Sequence, residues 1–311
     1  MGARFGAAAQ AMDAFTVTGV VDSQGERASD LAAKLGAAPA QSIAELAGRV
    51  DAVYIGVPHD QHLAACVEAA AAGMHVLIDK PLCNTAEEAR AIGAAADAAG
   101  IELMVGFSYR YRAEWVRVAE LIAEGAIGRP RLVVDRLIEA AAATPAWYWD
   151  AAAGGGVVQI QSHHCFDRLA WVLDDPFETV ACQVSGQSGF AEDTAVITAV
   201  TSGGTIAAID IGFGRTYTAP AHPSTVIQGE RGHLIIDHER TLTLETDAGS
   251  TVTNYSDDDW LTAELAAFAA VIEGDSPAPG IREGSAALSC ALAAALSAQA
   301  GGAVQTVASV P

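Results

Sequence analysis

Four largely apolar runs rich in β-branched residues, within the first 107 residues, constrain this chain more than any other feature. They are Phe15–Val21, ending at Asp22; Asp51–Val57, ending at Pro58; Met74–Ile78, ending in Asp79-Lys80-Pro81; and Ile101–Phe107. A strand with one wet face alternates polar and apolar residues, so unbroken runs mean that both faces are covered. Helix signals fill the gaps. Glu26 to Leu35 reads as a helix stopped by Gly36, and His62 to Ala72 as one stopped by Gly73. Thr85 opens another, with Glu87 and Glu88 in its first turn, running to Gly100. Acidic residues favour helix N-termini and glycine takes the left-handed stop. Strand and helix in alternation predict a parallel sheet with helices on both faces.

Beyond residue 108 the pattern changes. A helix from Arg112 to Ala123 leads to Gly125, then to a strand over Arg131–Ile138 and a helix near Gln161–Val172. Six short strand-like stretches follow: Glu178–Val184, Thr194–Thr201, Thr205–Gly212, Thr225–Gln228, Leu234–Asp237 and Leu242–Glu245. Tight turn signals separate them, as at Ser202-Gly203-Gly204 and Glu230-Arg231-Gly232, and predict an antiparallel sheet with one open face. Helices at about Trp260–Glu273 and Glu283–Ala300 close the chain, with Asp259 as the N-cap of the first. The expectation is α/β: a Rossmann-like parallel domain over 1–108, then an α+β domain over 109–311 with an open, mostly antiparallel sheet. The length of 311 residues suits two domains.

Composition narrows the function classes. With 17 Lys+Arg against 38 Asp+Glu the net charge is -21, which argues against nucleic acid and anionic membrane as partners. No apolar window is long enough to span a bilayer. The alanine-rich start lacks the Leu/Ile/Val core of a signal peptide and meets Asp13 early. The five cysteines are scattered and form no Cys-x-x-Cys pair, which reads as reduced thiols in a cytoplasmic protein. His163-His164-Cys165 is no metal site, since consecutive helical residues diverge by about 100°.

A dinucleotide-binding domain opens with a strand, then a Gly-x-Gly-x-x-Gly turn into a helix, with a ribose-binding acid about 20 residues later. Asp22 ends a strand as that acid should. Counting back places Gly2 as the third glycine, followed by Ala3-Arg4-Phe5-Gly6-Ala7 as the first helix. The strand and the first two glycines would then precede Met1. Either Met1 is an internal methionine of a longer protein or part of the cofactor site is absent. The residues downstream still read as a working fingerprint, which favours the first.

Asp22, Pro58-His59-Asp60-Gln61-His62, Asp79-Lys80-Pro81 and Gly154-Gly155-Gly156 followed by His164-Cys165-Phe166-Asp167 occur in this order. On these residues the chain resembles the Gfo/Idh/MocA oxidoreductases, the glucose–fructose oxidoreductase and inositol dehydrogenase relatives. The resemblance runs from about Gly2 to Val304. It implies an NAD- or NADP-dependent oxidation or reduction of a carbinol on a sugar, cyclitol or similar small polyol. It also implies a homo-oligomer formed through the open sheet of the second domain.

Carried over by position, Lys80 and His164 are the catalytic pair that handles the proton. The resemblance places Gly2, Asp22, Arg27, Pro58, His59, His62, Asp79 and Lys80 around the cofactor. Asp22 favours NAD because a carboxylate repels a 2′-phosphate, while Arg27 keeps NADP open. The substrate candidates are Arg110, Tyr111, Trp149, Gln161, His163 and His164, with Trp147 and Tyr148 beside Trp149 as stacking surfaces. One position departs from the family. Many relatives place Asp four residues before the histidine, and here Ile160 stands there, which excludes an Asp-dependent relay. Gln161 and His163 are its polar neighbours but point elsewhere on a helix. That departure motivates a different class as the alternative: a member without redox activity, acting as a cofactor-independent cyclase, isomerase or lyase, or as a binding protein.

Overall fold

A computed structural model describes residues 1–141, 144–187, 190–214, 223–275 and 277–308. The chain forms two compact units. The first takes Met1–Ser108 and, late in the sequence, Asp259–Gly284; the second takes Tyr109–Asp258 and, of the described residues, 285–308. The chain thus first crosses between units after Ser108. The expected second domain of 109–311, however, is not one piece, because 259–284 return to the first unit. The returning helix buries Leu261, Leu265, Phe268 and Val271, an apolar stripe that packs with the opening helix and the last parallel strand.

In the first unit the elements run α1 (Gly2–Gln10), β1 (Gly19–Val21), α2 (Gly25–Leu35), β2 (Ala38–Ala40), β3 (Ala52–Ile55), α3 (His62–Ala71), β4 (His75–Asp79), α4 (Ala86–Ala99) and β5 (Leu103–Gly106). Every pairing is parallel. β1 joins β2, while β3, β4 and β5 form a separate sheet in that order. Val76, Leu77 and Ile78 are fully buried in β4, as the unbroken apolar run requires.

In the doubly wound order the first strand lies between the strands equivalent to β1 and β3. Among the described residues none pairs there, and the ladder is interrupted at that place. β1 is shorter than its apolar run because Val17 N–H donates to the Gln10 side chain at 3.3 Å instead of entering a ladder. β2 escapes the sequence pattern, since Ala38-Pro39-Ala40 carries no strand signal.

Local signals place the helices. Thr85 Oγ1 accepts from Glu88 N–H at 3.2 Å and Glu88 Oε2 accepts from Thr85 N–H at 3.1 Å, a complete capping box for α4. Gly36 and Gly100 end α2 and α4 with φ of 67° and 64°, which favours glycine. A side chain at Gly6 would collide with Leu35, so glycine lets α1 approach α2. At Gly2, the expected close-packing glycine, a Cβ would meet nothing within 4 Å.

The second unit contains α5 (Ala113–Ala123), β6 (Pro130–Ala140), α6 (Val157–Leu173), β7 (Phe177–Ser185), β8 (Thr194–Thr201), β9 (Ile206–Gly214), β10 (Ser224–Gly229), β11 (Gly232–Ile236), β12 (Thr241–Thr246) and β13 (Gly249–Asn254). After the returning helix α7 (Trp260–Ile272), α8 (Ile281–Gln299) brings the chain back and β14 (Gln305–Thr306) ends the sheet. The nine strands lie in the order β13-β12-β11-β10-β6-β9-β8-β7-β14, antiparallel throughout except for β6 against β9. β13 was not legible because it is exposed at every residue and so carries no apolar alternation.

One face of this sheet carries Val133, Leu137, Ala195, Ile197, Ala207, Ile209 and Ile211, all buried with the apolar side of α6. The other leaves Val134, Ile138, Val196 and Ile206 exposed. None of the five cysteines is in a disulfide, and all are buried. Burial pushes the thiols of Cys66, Cys83 and Cys290 up to about 12, which keeps them protonated and unreactive. Among the described residues no helix is long and apolar enough to cross a membrane.

An ion pair sits inside the second unit. Arg168 on α6 reaches Asp135 on β6 at 2.5 Å, with side chains 1% and 0% exposed, and Thr225 Oγ1 donates to the same carboxylate at 2.6 Å. The guanidinium also lies over the rings of Tyr109 and Trp115 at 4.3 and 4.9 Å. Removing one partner strands a buried charge. Asp135→Ala is therefore expected to lower the unfolding free energy by about 3–5 kcal/mol, while Asp135→Leu combined with Arg168→Met returns it to within about 2 kcal/mol of wild type. Urea unfolding of the two proteins measures both.

Candidate active site

Parallel sheets hold ligands beyond the carboxyl ends of their strands, where backbone amides and loop side chains converge. In the first unit those ends carry Asp22 after β1, Pro58-His59 after β3 and Asp79-Lys80-Pro81 after β4. Asp22 Oδ1 accepts from Gln24 N–H at 2.8 Å, a turn that fixes the carboxylate at the strand end. Arg27 lies one turn into α2, exposed. Lys80 is half-buried. Its N–H donates to Asp79 Oδ1 at 3.0 Å, and the Lys80–Pro81 peptide is cis.

Asp79 serves a second contact. Tyr54 OH donates to Asp79 Oδ2 at 3.3 Å, and the Tyr54 ring stacks on Phe5 at 4.1 Å with the planes 13° apart. Burial, and then the charges of Asp79 and Glu264, push the Tyr54 hydroxyl far above the usual phenol range, so it stays a donor. Sequence reasoning missed Tyr54, which reads only as one aromatic residue within an apolar strand.

Two histidines were expected beside the cofactor. His59 is buried in a short 3₁₀ turn, 5.5 Å from the His62 ring. His62 is fully buried, and its ring nitrogens are taken up internally. Nδ1 lies 2.9 Å from the Pro81 carbonyl and 3.3 Å from that of Leu82, while Nε2 lies 3.1 Å from the Val57 carbonyl. His62 thus ties the loop after β3 to the loop carrying Lys80, and holds that loop instead of touching a ligand.

In the second unit the site gathers on α6. From Gly154 to Leu169 every residue is buried except Gln159 and His164. His164 is thus the one titratable side chain on that stretch with access to solvent. Its ring meets Tyr109 edge to face at 5.2 Å, and Tyr109 in turn carries the Arg112 guanidinium at 4.0 Å. Tyr109 is a site residue that the sequence did not single out; the neighbouring Arg110 and Tyr111 were chosen.

Arg110 differs from its expected role toward substrate. Its Nε and Nη2 form a fork on Asp167, at 3.0 and 2.7 Å, and its guanidinium stacks on Trp171 at 5.6 Å. Tyr111 is half-buried in the turn before α5, and His163 is 0% exposed, so His163 points into the core. Gln161 is buried too, and its Nε2 donates to Glu139 Oε2 at 2.5 Å. Ile160 is buried among the apolar side chains of the core.

The triple glycine has a packing cause. A side chain at Gly155 would collide with the carbonyl oxygens of Trp147, Tyr148 and Asp150, and one at Gly156 with the Glu192 carboxylate. Gly156 N–H donates to the Tyr148 carbonyl at 2.9 Å, so the glycines hold the aromatic turn against the start of α6. Trp149 and Tyr148 pack on Phe213 at 6.0 and 5.8 Å, and Trp147 on Tyr148 at 4.5 Å. Trp149 is thus half-buried against the core. Glu192, which the sequence did not flag, accepts from Val158 N–H at 3.1 Å at the helix N-terminus. Burial pushes its carboxyl above the ordinary range. Among the described residues no group of three or more His, Cys, Asp or Glu is placed to hold a metal ion.

Fold and site define a two-unit α/β protein, with parallel strands between helices in the first unit and, in the second, a buried helix carrying one half-exposed histidine under an open sheet. The family model for the oxidoreductase family with an NAD-binding Rossmann fold matches residues 1–107, and that for the GFO/IDH/MocA C-terminal domain matches 115–235. The chain belongs to the Gfo/Idh/MocA family.

A 1,5-anhydro-D-fructose reductase of Ensifer adhaerens is 39% identical over 155 residues, 48% of this chain and 46% of that protein. Inositol 2-dehydrogenase 3 of Saccharopolyspora erythraea is 34% identical over 174 residues, 54% of this chain and 48% of that protein. The matches thus span about half the length of these curated relatives. A levoglucosan dehydrogenase solved with NADH and levoglucosan shares the fold, with a TM-score of 0.87 at 21% identity over 99% of this chain and 96% of that one.

His62 gives the first unit a pH signature. Burial holds its pKa below the ordinary 6.5, against the smaller opposing pull of Asp79 and the carbonyls. The unfolded chain then binds a proton near pH 6.5 that the folded chain refuses. The stability contribution is complete above that pH and is lost as pH falls below it, by up to about 1.4 kcal/mol per unit. His62→Asn is expected to remove that part of the slope, measured as unfolding free energy between pH 7.5 and 5.5 in both proteins.

Proposed function

We propose that this protein is an NAD-dependent oxidoreductase that moves a hydride between nicotinamide and a carbinol carbon of a sugar, cyclitol or related small polyol. The observation that carries the reading is the loop after β4. There His62 holds Asp79-Lys80-Pro81 beyond the carboxyl end of the central strand β4, where α/β proteins bind ligands, with Lys80 half-buried. The residues present suit a dinucleotide. Asp22 offers a fixed carboxylate to a ribose diol, and its charge disfavours a 2′-phosphate, so NAD is preferred over NADP. α1 opens with no acidic residue in its first turn and no side-chain cap, which leaves its amides to an anion. The bound nicotinamide would accept or return the hydride. The chain itself supplies proton handling: Lys80 Nζ donates a hydrogen bond to the reacting oxygen, and an imidazole nitrogen of His164 takes or returns the hydroxyl proton. The names of the relatives, a 1,5-anhydro-D-fructose reductase and an inositol 2-dehydrogenase, support the substrate class.

Lys80→Ala and His164→Ala are each expected to lower kcat by about 10²–10⁴-fold in NADH absorbance assays across a polyol panel, with NAD binding retained by fluorescence. Undiminished turnover in Lys80→Ala overturns the assignment. The second reading, a member without redox activity, is favoured by Ile160, which is 2% exposed four residues before His164, where the family resemblance implies an acid. Any dinucleotide-linked turnover by the wild-type protein defeats it.

The open sheet face supports self-association. Val134 and Ile138 on β6, Val196 on β8 and Ile206 on β9 leave apolar surface on one face, and Val196 and Ile206 are 51% and 50% exposed. Sedimentation velocity is expected to show a homo-oligomer that Val196→Asp shifts to monomer. A wild-type protein that is monomeric at micromolar concentration overturns this.

A further inference from the structure

We propose that Glu139 supplies the carboxylate that position 160 lacks and binds a hydroxyl of the substrate beside His164. The inference rests on the reading of this protein as a polyol oxidoreductase. On β6 the residues alternate, so that Val133, Asp135 and Leu137 face the covered side of the sheet and Val134, Arg136 and Ile138 the open side. Glu139 continues the covered series, toward α6. Two residues of that series meet the helix. Asp135 takes Arg168, and Glu139 takes Gln161. The spacing agrees: four strand residues span about 13 Å and seven helical residues about 10.5 Å, so strand and helix run in opposite directions in matched register.

The two contacts differ in what surrounds them. Asp135 is 0% exposed, and both its oxygens are bound by Arg168, one of them by Thr225 as well. Glu139 is only half-buried. Gln161 engages Oε2, and among the described residues no donor is found for Oε1. A carboxylate accepts hydrogen bonds only, with about four lone-pair sites, so a partly open one held by a single amide is suited to hydroxyl donors. Gln161 lies one turn before His164, on the neighbouring helix row. Glu139 also bears electrostatically on Tyr109, whose ring touches His164, and on Cys165, the next residue along. Carboxylate, amide, imidazole and phenol therefore border one region of the second unit. An acid arriving from β6 does there what Ile160 on α6 cannot.

The test compares wild type with Glu139→Gln and Glu139→Ala. The panel is myo-inositol, scyllo-inositol, D-glucose and 1,5-anhydro-D-glucitol with NAD, followed by monodeoxy analogues of whichever polyol turns over fastest. Glu139→Gln keeps an acceptor for Gln161 and is expected to leave the thermal midpoint unchanged. It should raise KM about 10–100-fold, the loss expected of one charge-assisted hydrogen bond, with a smaller change in kcat. One deoxy analogue should be insensitive to Glu139→Ala, because it lacks the hydroxyl concerned.

An unchanged KM overturns the proposal. So does a penalty equal for all analogues, or a fall in midpoint that tracks the loss of activity, since each marks a mere packing contact. If wild type turns over no polyol, saturation-transfer NMR reads binding of the same panel. Binding weakened by Glu139→Gln upholds the Glu139 site while the redox reading fails, and no binding at all overturns both.

Discussion

Helix α6 is buried along nearly its whole length, and the second unit is arranged around that constraint. A helix hydrophobic on most sides must be covered on most sides. The open sheet supplies one cover, with α5 packed alongside. Its polar residues then have few places to go. Arg168 finds Asp135, Asp167 finds Arg110, and Gln161 finds Glu139, all with charge-assisted geometry. The one histidine left with access to solvent is His164. Its exposure stands out because its neighbours are packed so completely.

The first unit solves the same problem with backbone. Its loops after β3 and β4 carry the candidate residues His59 and Lys80, and among the described residues no backbone ladder holds one loop to the other. His62 does so by lying between three carbonyl oxygens, from Val57, Pro81 and Leu82. Burial keeps the ring neutral against the pull of those carbonyls and of Asp79. The lysine loop is thereby positioned by a residue that never needs to meet a ligand.

Much of this was legible in the sequence. The buried strands, the Thr85–Glu88 capping box, the stops at Gly36 and Gly100 and the N-cap at Asp259 are local effects, set by residues within one turn of each other. The Lys80 and His164 positions were legible because their neighbours form a spaced pattern. β13 was not, because a fully exposed edge strand has no apolar alternation to read. The return of 259–284 to the first unit was not, because an amphipathic helix shows which face it buries but not against what. Arg110 and His62 were read as ligand contacts because an exposed and an internally bonded polar side chain look alike in a sequence, and His163 because a sequence does not show depth of burial.

By itself, then, the sequence determined the classes of element, most of their order, the net charge and the motifs that carry the family membership. These follow from periodicity, caps and residue chemistry, all short-range. The tertiary structure decided which polar groups are consumed by one another and which stay available. Glu139 and Gln161 stand 22 residues apart, and Arg110 and Asp167 57. Only tertiary packing brings such pairs within hydrogen-bond reach, and only the depth at which β6 packs on α6 leaves Glu139 half open where Asp135 is sealed.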